Sequence, residues 1–187
     1  TFLSTGNTGG PSFQAQPSDI ANLIYTSGPT GRPKGCVHGQ RELARLAQTL
    51  ALVQPTSLHE SFLAVMPLFH IGAMAVALAH LSRTGTVHIA REFEARSVLD
   101  LIERKRMGMI LLAPTMVQML LDAPGCDRAD LSSLRRILYS ASPMPSNTLR
   151  RGIERFGAIF TQYYGQTEVI STYLPSELHV LDGTEED

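Results

Sequence analysis

The sequence predicts an α/β fold: a mostly parallel sheet with helices on both faces. Two observations carry this prediction. Apolar runs alternate with amphipathic segments along most of the 187 residues, and several apolar runs are continuous rather than interrupted by polar residues. Continuous runs are typical of parallel strands that helices cover on both sides. In open sheets of this type, ligands bind beyond the carboxyl ends of the strands, so we expect the functional residues there.

Strands and helices are predicted in alternating order after a polar start. Residues 1–18 are rich in Gly, Ser, Thr, Gln and Pro and predict a loop or linker, so the domain is expected to occupy residues 19–187. We expect Thr115 to cap the fourth helix and Gly157 to end the fifth. The predicted strands are 19–27, 61–69, 86–90, 108–114, 134–142 and 158–168. The predicted helices are 38–53, 72–83, 94–107, 115–123 and 145–157.

Charge and cysteine usage exclude several classes of function. The net charge is −1 and no face is obviously basic, which argues against nucleic acid as a partner. The two cysteines, Cys36 and Cys126, are far apart, and no His or Cys spacing indicates a zinc site. The longest apolar stretch, residues 71–81, is too short to span a bilayer, and the chain starts without a signal-peptide pattern. A cytoplasmic protein is expected, and a homo-oligomer remains open.

The stretch YTSGPTGRPKG, residues 25–35, predicts an anion-binding loop. Its glycines let the backbone approach a ligand closely, its hydroxyl side chains can donate hydrogen bonds, and Lys34 supplies a positive charge. We expect the N-terminus of the next helix to follow the loop and add to the attraction. The Walker spacing is absent, because Pro33 precedes the lysine and Gly35 follows it. A P-loop NTPase or kinase is therefore disfavoured.

This loop and three later segments resemble, in order, the motifs of the adenylate-forming (AMP-binding) superfamily. That family includes acyl-CoA synthetases and nonribosomal peptide adenylation domains. The loop departs from the family pattern Y-T-S-G-T-T-G-x-P-K-G only at Pro29. Further similarity lies in MPLFHIGA (66–73), YSASPMP (139–145) and QYYGQTE (162–168). The resemblance implies that the chain is a central part of the large N-terminal domain of such an enzyme.

The resemblance implies that a carboxylic acid and ATP form an acyl-adenylate and pyrophosphate, and that coenzyme A then takes the acyl group. Glu168 is the expected Mg²⁺ ligand, since a hard cation prefers carboxylate oxygen. Thr167 is expected to contact the α-phosphate and Lys34 the β- and γ-phosphates. His70 is expected to line the active site and position the substrate rather than to act as a general base. Expected phosphate contacts are Thr26, Ser27, Gly28, Pro29, Thr30 and Gly31. Expected contacts around the adenine and the α-phosphate are Ser140, Ala141, Ser142, Pro143, Gln162, Tyr163, Tyr164, Gly165 and Gln166.

The acid itself is expected to be aliphatic or aromatic, because Gly and Ala near residues 72–79 leave room. No acidic residue at a strand end is available to pair with the amino group of an amino acid. This argues against the amino-acid adenylation domain of a nonribosomal peptide synthetase, which stays an alternative. A non-catalytic nucleotide-binding relative remains an alternative, because Pro29 removes an N–H and a hydroxyl from the loop. The thiol acceptor, coenzyme A or a carrier protein, stays open. The residues expected to contact the acid are His70, Ile71, Gly72, Met74, Ala75, Tyr139 and Gln162.

Parts of the expected enzyme are missing from this sequence. Relatives carry a T-G-D motif after the fourth segment and a small C-terminal domain with a lysine that assists adenylation. Neither is found in the 187 residues. The chain is therefore expected to be a fragment that is inactive when isolated.

Overall fold

The structure is a computed structural model that describes residue 9 and residues 12–27, 31–54, 56–179 and 181. Its strands within these residues are β1 (Ile20–Thr26), β2 (Lys34–Gly39), β3 (Ser61–Ala64), β4 (Thr86–Ile89), β5 (Met109–Leu112), β6 (Arg136–Tyr139), β7 (Phe160–Gln166) and β8 (Val169–Leu174). Its α-helices are α1 (Gln40–Val53), α2 (Ile71–Ser82), α3 (Ala95–Lys105), α4 (Pro114–Leu121) and α5 (Ser146–Phe156). A short 3₁₀ helix follows at Ser176–Leu178. None of the described helices combines the length and the apolar character that crossing a membrane requires.

Six strands form one sheet in the order β4-β3-β5-β6-β7-β8. The first five are parallel to their neighbours, and only β8 runs antiparallel, against β7. The predicted mostly parallel α/β fold is confirmed. Because the parallel strands share one direction, the segments that follow β3, β6 and β7 meet at one edge of the sheet.

Helices cover both faces of this sheet, and each face has its own apolar core. Alternate residues of each strand point to opposite faces, so neighbouring residues of β5, such as Ile110 and Leu111, belong to different cores. Helices α3, α4 and α5 pack on the face of Ile110. Helices α1 and α2 pack on the face of Leu111. The continuous apolar runs of the sequence are explained by this double coverage.

The segment after the glycine-rich loop differs from its prediction. Helix 38–53 was expected to begin close behind the loop, but Lys34–Gly39 is strand β2, and α1 starts only at Gln40. Strands β1 and β2 pair antiparallel, with Thr26 opposite Lys34, in a two-stranded sheet separate from the main one. The expected helix N-terminus at the loop is therefore wrong. Four of the six residues of β2, namely Gly35, Cys36, Val37 and Gly39, are poor helix formers, and the pairing of this segment with β1 decides its structure.

Three smaller predictions also need correction. Thr115 does not cap α4, because Pro114 occupies the first helical position and Ala113 precedes it. The predicted strand 61–69 is regular only over Ser61–Ala64. Strand β8 was not predicted at all. By contrast, Gly157 ends α5 with a φ of 88°, as expected.

Candidate active site

A cleft of about 320 Å³ opens at the carboxyl edge of the main sheet. Its walls come from the start of α2 and from the segments that follow β3, β6 and β7. Its interior is apolar, since Val76 and Leu111 are each 2% exposed and Tyr163 is 7% exposed. The residues around it are Met66, His70, Ile71, Gly72, Val76, Leu111, Ser140, Ala141, Tyr163, Gly165, Gln166 and Thr167. A small apolar group could be enclosed here while polar groups remain at the opening.

Most residues of this cleft were predicted from the sequence, and three were not. Val76 could have been found, because it lies one helical turn after Gly72 and therefore on the same face of α2. Leu111 gave no signal, since all four residues of β5 are apolar and buried. Met66 lies inside the second motif but was not singled out. The predicted residues that the cleft brings together are His70, Ile71, Gly72, Ser140, Ala141, Tyr163, Gly165, Gln166 and Thr167.

The structure does not bring Tyr139 to the cleft. Tyr139 belongs to the core on the α3–α5 face, where it is 3% exposed and its hydroxyl lies 3.0 Å from Nε2 of His179. Burial raises the pKa of the Tyr139 hydroxyl. Strand alternation explains the displacement, because the next residue, Ser140, lines the cleft instead. The same alternation turns Gln162 away from the face that its neighbour Tyr163 occupies.

The predicted acid contacts Met74 and Ala75 lie on α2 outside the cleft wall. Met74 accepts a hydrogen bond at Sδ from Nδ2 of Asn22, at 3.6 Å, which ties the β1–β2 hairpin to α2. Ala75 is completely buried. The helix therefore offers the cleft its Gly72–Val76 face and uses its other faces for packing.

The N-terminus of α2 lies at the opening of the cleft. His70 precedes the helix with extended backbone and no side-chain cap, and the first turn contains no acidic residue. The first N–H groups of α2 therefore lack a capping side chain, and the helix dipole makes this end of the helix positive. The His70 side chain itself is exposed. This end of α2 is suited to a carboxylate or a phosphate.

The segment after β6 contains a backbone conformation that is rare for a residue with a side chain. Ala141 has a φ of 77°, in the left-handed region, and it lines the cleft. This conformation costs a non-glycine residue roughly 1–2 kcal/mol. Such strain is concentrated at functional sites. Ser142 and Pro143, predicted beside the adenine, follow it and are exposed.

The described part of the glycine-rich loop is the connection of the β1–β2 hairpin. Thr26 and Lys34 face each other at its base, and Gly31 has a φ of 76° that a side chain would oppose. Lys34 is exposed, so its ammonium group is accessible to an anion. The predicted phosphate contacts Gly28, Pro29 and Thr30 lie outside the described residues, and Ser27 is their described neighbour.

The segment Thr167–Glu168 connects the hairpin to the cleft. A second cleft of about 160 Å³ shares Thr167 and Ile71 with the first and is also lined by His38, Glu42, Leu43, Leu46, Glu168 and Val169. Burial raises the pKa of the Cys36 thiol, and the nearby charge of Glu168 raises it further. Glu168 and His38 of β2 line the same cleft, so Glu168 lies close to β2. Glu168 is exposed, and Tyr164 is 69% exposed, so its ring is accessible for stacking.

The metal-binding capacity of these residues is modest. Among the described residues, no three His, Cys, Asp or Glu side chains gather as a cation site would require. Mg²⁺, however, commonly takes one or two carboxylates and completes its coordination with water and substrate phosphates. The exposed carboxylate of Glu168 beside the Thr167 hydroxyl fits that pattern.

Comparison with known proteins identifies the family. The AMP-binding enzyme family matches residues 4–184. The chain is 35% identical to the medium/long-chain-fatty-acid–CoA ligase FadD8 of Mycobacterium tuberculosis, over 87% of this chain and 29% of that protein. It is 36% identical to a feruloyl-CoA synthase of an Amycolatopsis species, over 80% of this chain and 30% of that protein.

Solved structures give the same result. The O-succinylbenzoate coenzyme A synthetase MenE from Bacillus subtilis, in complex with AMP, superimposes with a TM-score of 0.80 at 30% identity, covering 88% of this chain and 34% of that one. The N-terminal domain of FACL13 from Mycobacterium tuberculosis gives 0.83 at 25% identity, covering 94% and 44%. The chain spans about a third of the length of the curated relatives it matches. It belongs to the family of AMP-binding enzymes.

Proposed function

We propose that the full-length protein is an acid–thiol ligase that activates a fatty or aryl acid with ATP and transfers the acyl group to coenzyme A. The observation that carries the proposal is the cleft at the carboxyl edge of the sheet. Its apolar interior suits the body of an acid, and the uncapped N-terminus of α2 at its opening suits a carboxylate. The hairpin that carries Lys34 contacts α2 through Asn22, and Glu168 lines a second cleft that shares Thr167 and Ile71 with the first. Both segments suit a polyphosphate.

In the first step, a carboxylate oxygen attacks the α-phosphorus of ATP, and the bond from that phosphorus to the bridging oxygen breaks. Pyrophosphate leaves with the electron pair of that bond, and no proton has to be removed from an ionised acid. The task of the protein is therefore to orient the two anions and to offset their repulsion. The start of α2 holds the carboxylate at the opening of the cleft, and the exposed His70 beside it limits the approach to one direction.

The nucleotide is assigned to the residues around that opening. The ammonium group of Lys34 offsets the charge of the β- and γ-phosphates, which become the leaving group. The hydroxyl of Thr167 donates to the α-phosphate, and the exposed ring of Tyr164 stacks on the adenine. A magnesium ion held by Glu168 would supply further charge neutralisation at the phosphates. In the second step, the coenzyme A sulfur attacks the acyl carbon, the bond from that carbon to the AMP oxygen breaks, AMP leaves with its electron pair, and the thiol proton passes to solvent.

The lining of the cleft supports an apolar acid over an amino acid. None of the described residues that line it is acidic, so an ammonium group would enter without a counter-charge. A fatty or aryl acid has no such requirement. A cytoplasmic location, a magnesium requirement and a homo-oligomer stay predictions.

The test is acid-dependent release of pyrophosphate by the full-length protein, with a panel of straight-chain and aromatic acids and with or without coenzyme A. Lys34→Met and Glu168→Gln should each lower kcat/KM by about 10²-fold or more, since each removes charge stabilisation at the phosphates. Lys105→Met, in the last turn of α3, is the matched control and should leave the rate unchanged. Equal rates for Lys34→Met and Lys105→Met would contradict the assignment.

A non-catalytic nucleotide-binding relative is the second candidate, and Pro29 is the observation that favours it. Calorimetry with Mg-ATP on the full-length protein and on Pro29→Thr separates the two. The proposed ligase predicts acid-dependent pyrophosphate release by the natural protein. Tight nucleotide binding by both proteins, with pyrophosphate release only by the Pro29→Thr variant, would instead favour a non-catalytic nucleotide-binding protein.

A further inference from the structure

A buried pair of polar side chains includes one residue of the cleft wall. Gln54 directly follows α1 and is 1% exposed. Its Nε2 donates a hydrogen bond to the hydroxyl of Tyr163, whose ring lines the cleft. Burial raises the pKa of the Tyr163 hydroxyl, so this group stays protonated. The Oε1 of Gln54 is also buried and has no hydrogen-bond partner among the described residues.

The position of Tyr163 makes it the far wall of the cleft. On β7, Tyr163 precedes Gln166 at the opening by three residues, which is about 10 Å along a strand. On α2, Val76 follows His70 by six residues, which is about 9 Å along a helix. The two estimates agree, so the cleft extends roughly 9 to 10 Å from its polar opening to the Tyr163 ring.

The ring of Tyr163 has little freedom to withdraw from this position. Tyr173, on β8, packs against it with ring centroids 5.4 Å apart and an interplanar angle of 42°. The hydroxyl at its outer end is engaged by Gln54. The Tyr173 ring and the hydrogen bond to Gln54 therefore each restrict the movement of the Tyr163 ring.

The polar pair is not explained by packing alone. Its surroundings are the apolar core formed by α1, α2 and one face of the sheet, in which Leu50, Val76 and Leu111 are almost fully buried. An apolar pair of the same shape would avoid burying an amide that keeps one oxygen unpaired. What the hydrogen bond adds over an apolar pair is a single orientation of the ring.

We propose that Gln54 is a positioning residue that fixes the Tyr163 ring as the stop at the end of the acid cleft, and thereby limits the acid to a short chain or one aromatic ring. This inference rests on the proposed function, since it assigns the cleft to the acid. A carbon chain advances about 1.3 Å per bond when C–C bonds are about 1.5 Å long, so the cleft admits a chain of roughly seven carbons.

The experiment measures how acids of increasing length bind to the full-length protein. Calorimetry with the series from butanoate to tetradecanoate, and with benzoate, gives a Kd for each acid. Acid-dependent pyrophosphate release is followed in parallel. The variants are Tyr163→Ala, which removes the stop, and Gln54→Leu and Tyr163→Phe, which each remove only the hydrogen bond. Thr148→Val is the control, because Thr148 is a buried polar residue of α5 whose hydroxyl bonds Gln118, at 2.8 Å, away from the cleft.

The natural protein should bind hexanoate or benzoate more tightly than dodecanoate. Tyr163→Ala should lower the ratio of the dodecanoate Kd to the hexanoate Kd by at least about tenfold, since each methylene in an apolar pocket is worth about that much. Gln54→Leu and Tyr163→Phe should each lower this ratio as well, but by a smaller factor than Tyr163→Ala. The double variant should lower the ratio no further than either single variant, because both substitutions remove the same hydrogen bond.

A purely structural role for the pair gives a different result. The variants would then lose stability, as Thr148→Val does, while the Kd ratio stays at its natural value, and that outcome overturns the proposal. Failure to bind any acid overturns it as well. Acids that bind with the expected cut-off, but without pyrophosphate release, would support the length stop and contradict the proposed ligase activity.

Discussion

Replacing Glu60 by alanine should destabilise the fold by about 3 to 5 kcal/mol, the usual cost of removing one partner from a buried ion pair. Glu60 lies just before β3, at the amino edge of the sheet, and its side chain is completely buried. Its carboxylate bonds Arg136 at 2.5 Å and Arg135 at 3.0 Å. It also accepts the backbone N–H of Ser57 at 3.0 Å. Alanine would leave all three donors without this partner.

Arg136 and Arg135 should contribute differently to the free energy of unfolding. The side chain of Arg136 is 16% exposed, so it depends on Glu60 for its charge compensation, whereas that of Arg135 is 54% exposed and can turn to water. Arg136→Ala should therefore cost more than about 2 kcal/mol, because it leaves the buried carboxylate with a solvent-screened partner. Arg135→Ala should cost less than about 1 kcal/mol, as exposed ion pairs do.

Urea denaturation followed by circular dichroism measures these differences. With a slope of about 1–3 kcal/mol per molar urea, Glu60→Ala should lower the midpoint by more than about 1 M. Arg135→Ala serves as the internal control. Equal midpoints for Arg135→Ala and Arg136→Ala, or a loss below about 1 kcal/mol for Glu60→Ala, would refute the reasoning from burial.

Two further predictions concern packing and pH. Gly152→Ala should cost about 1–3 kcal/mol, because a Cβ there would lie 2.6 Å from Cζ of Phe160, and Phe160→Leu in the same protein should recover part of the loss. Burial lowers the pKa of His80 from its ordinary value of 6.5, with smaller opposing contributions from the Val76 carbonyl and Glu60. The unfolded chain then binds a proton that the folded chain does not, so the contribution of His80 to stability is complete above pH 6.5 and falls as the pH is lowered below it. Denaturation midpoints of His80→Asn should therefore decline less between about pH 6.5 and 5, and an unchanged slope would contradict this assignment.

The parallel sheet could be predicted because its cause lies in local composition. Strands such as Met109–Leu112 are apolar at every position and are buried on both faces, so the sequence carries the environment directly. The β1–β2 hairpin could not be predicted in the same way. Its second strand, Lys34–Gly39, is held by pairing with β1, and nothing within the six residues indicates that partner. The antiparallel β8 was missed for the same reason, since it depends on pairing with β7.

The grouping of the motif residues could be predicted because these motifs follow strand ends, whereas the roles of the residues stay predictions. His70, Ser140 and Thr167 come from three different segments, and the parallel topology brings them to one cleft. The prediction was weaker within strands, where a shift of one residue changes the face of the sheet. Tyr139 and its neighbour Ser140 show this, since only Ser140 lines the cleft. The role of Gln54 was not visible from the sequence, because its partner Tyr163 is 109 residues away.

The proposed reaction is the activation of an acid at the α-phosphate of ATP. The most direct measurement is the identity of the nucleotide product formed by the full-length protein, with and without a fatty or aryl acid. We expect AMP and pyrophosphate, formed only when the acid is present. ADP and inorganic phosphate, or nucleotide turnover that is independent of the acid, would contradict it.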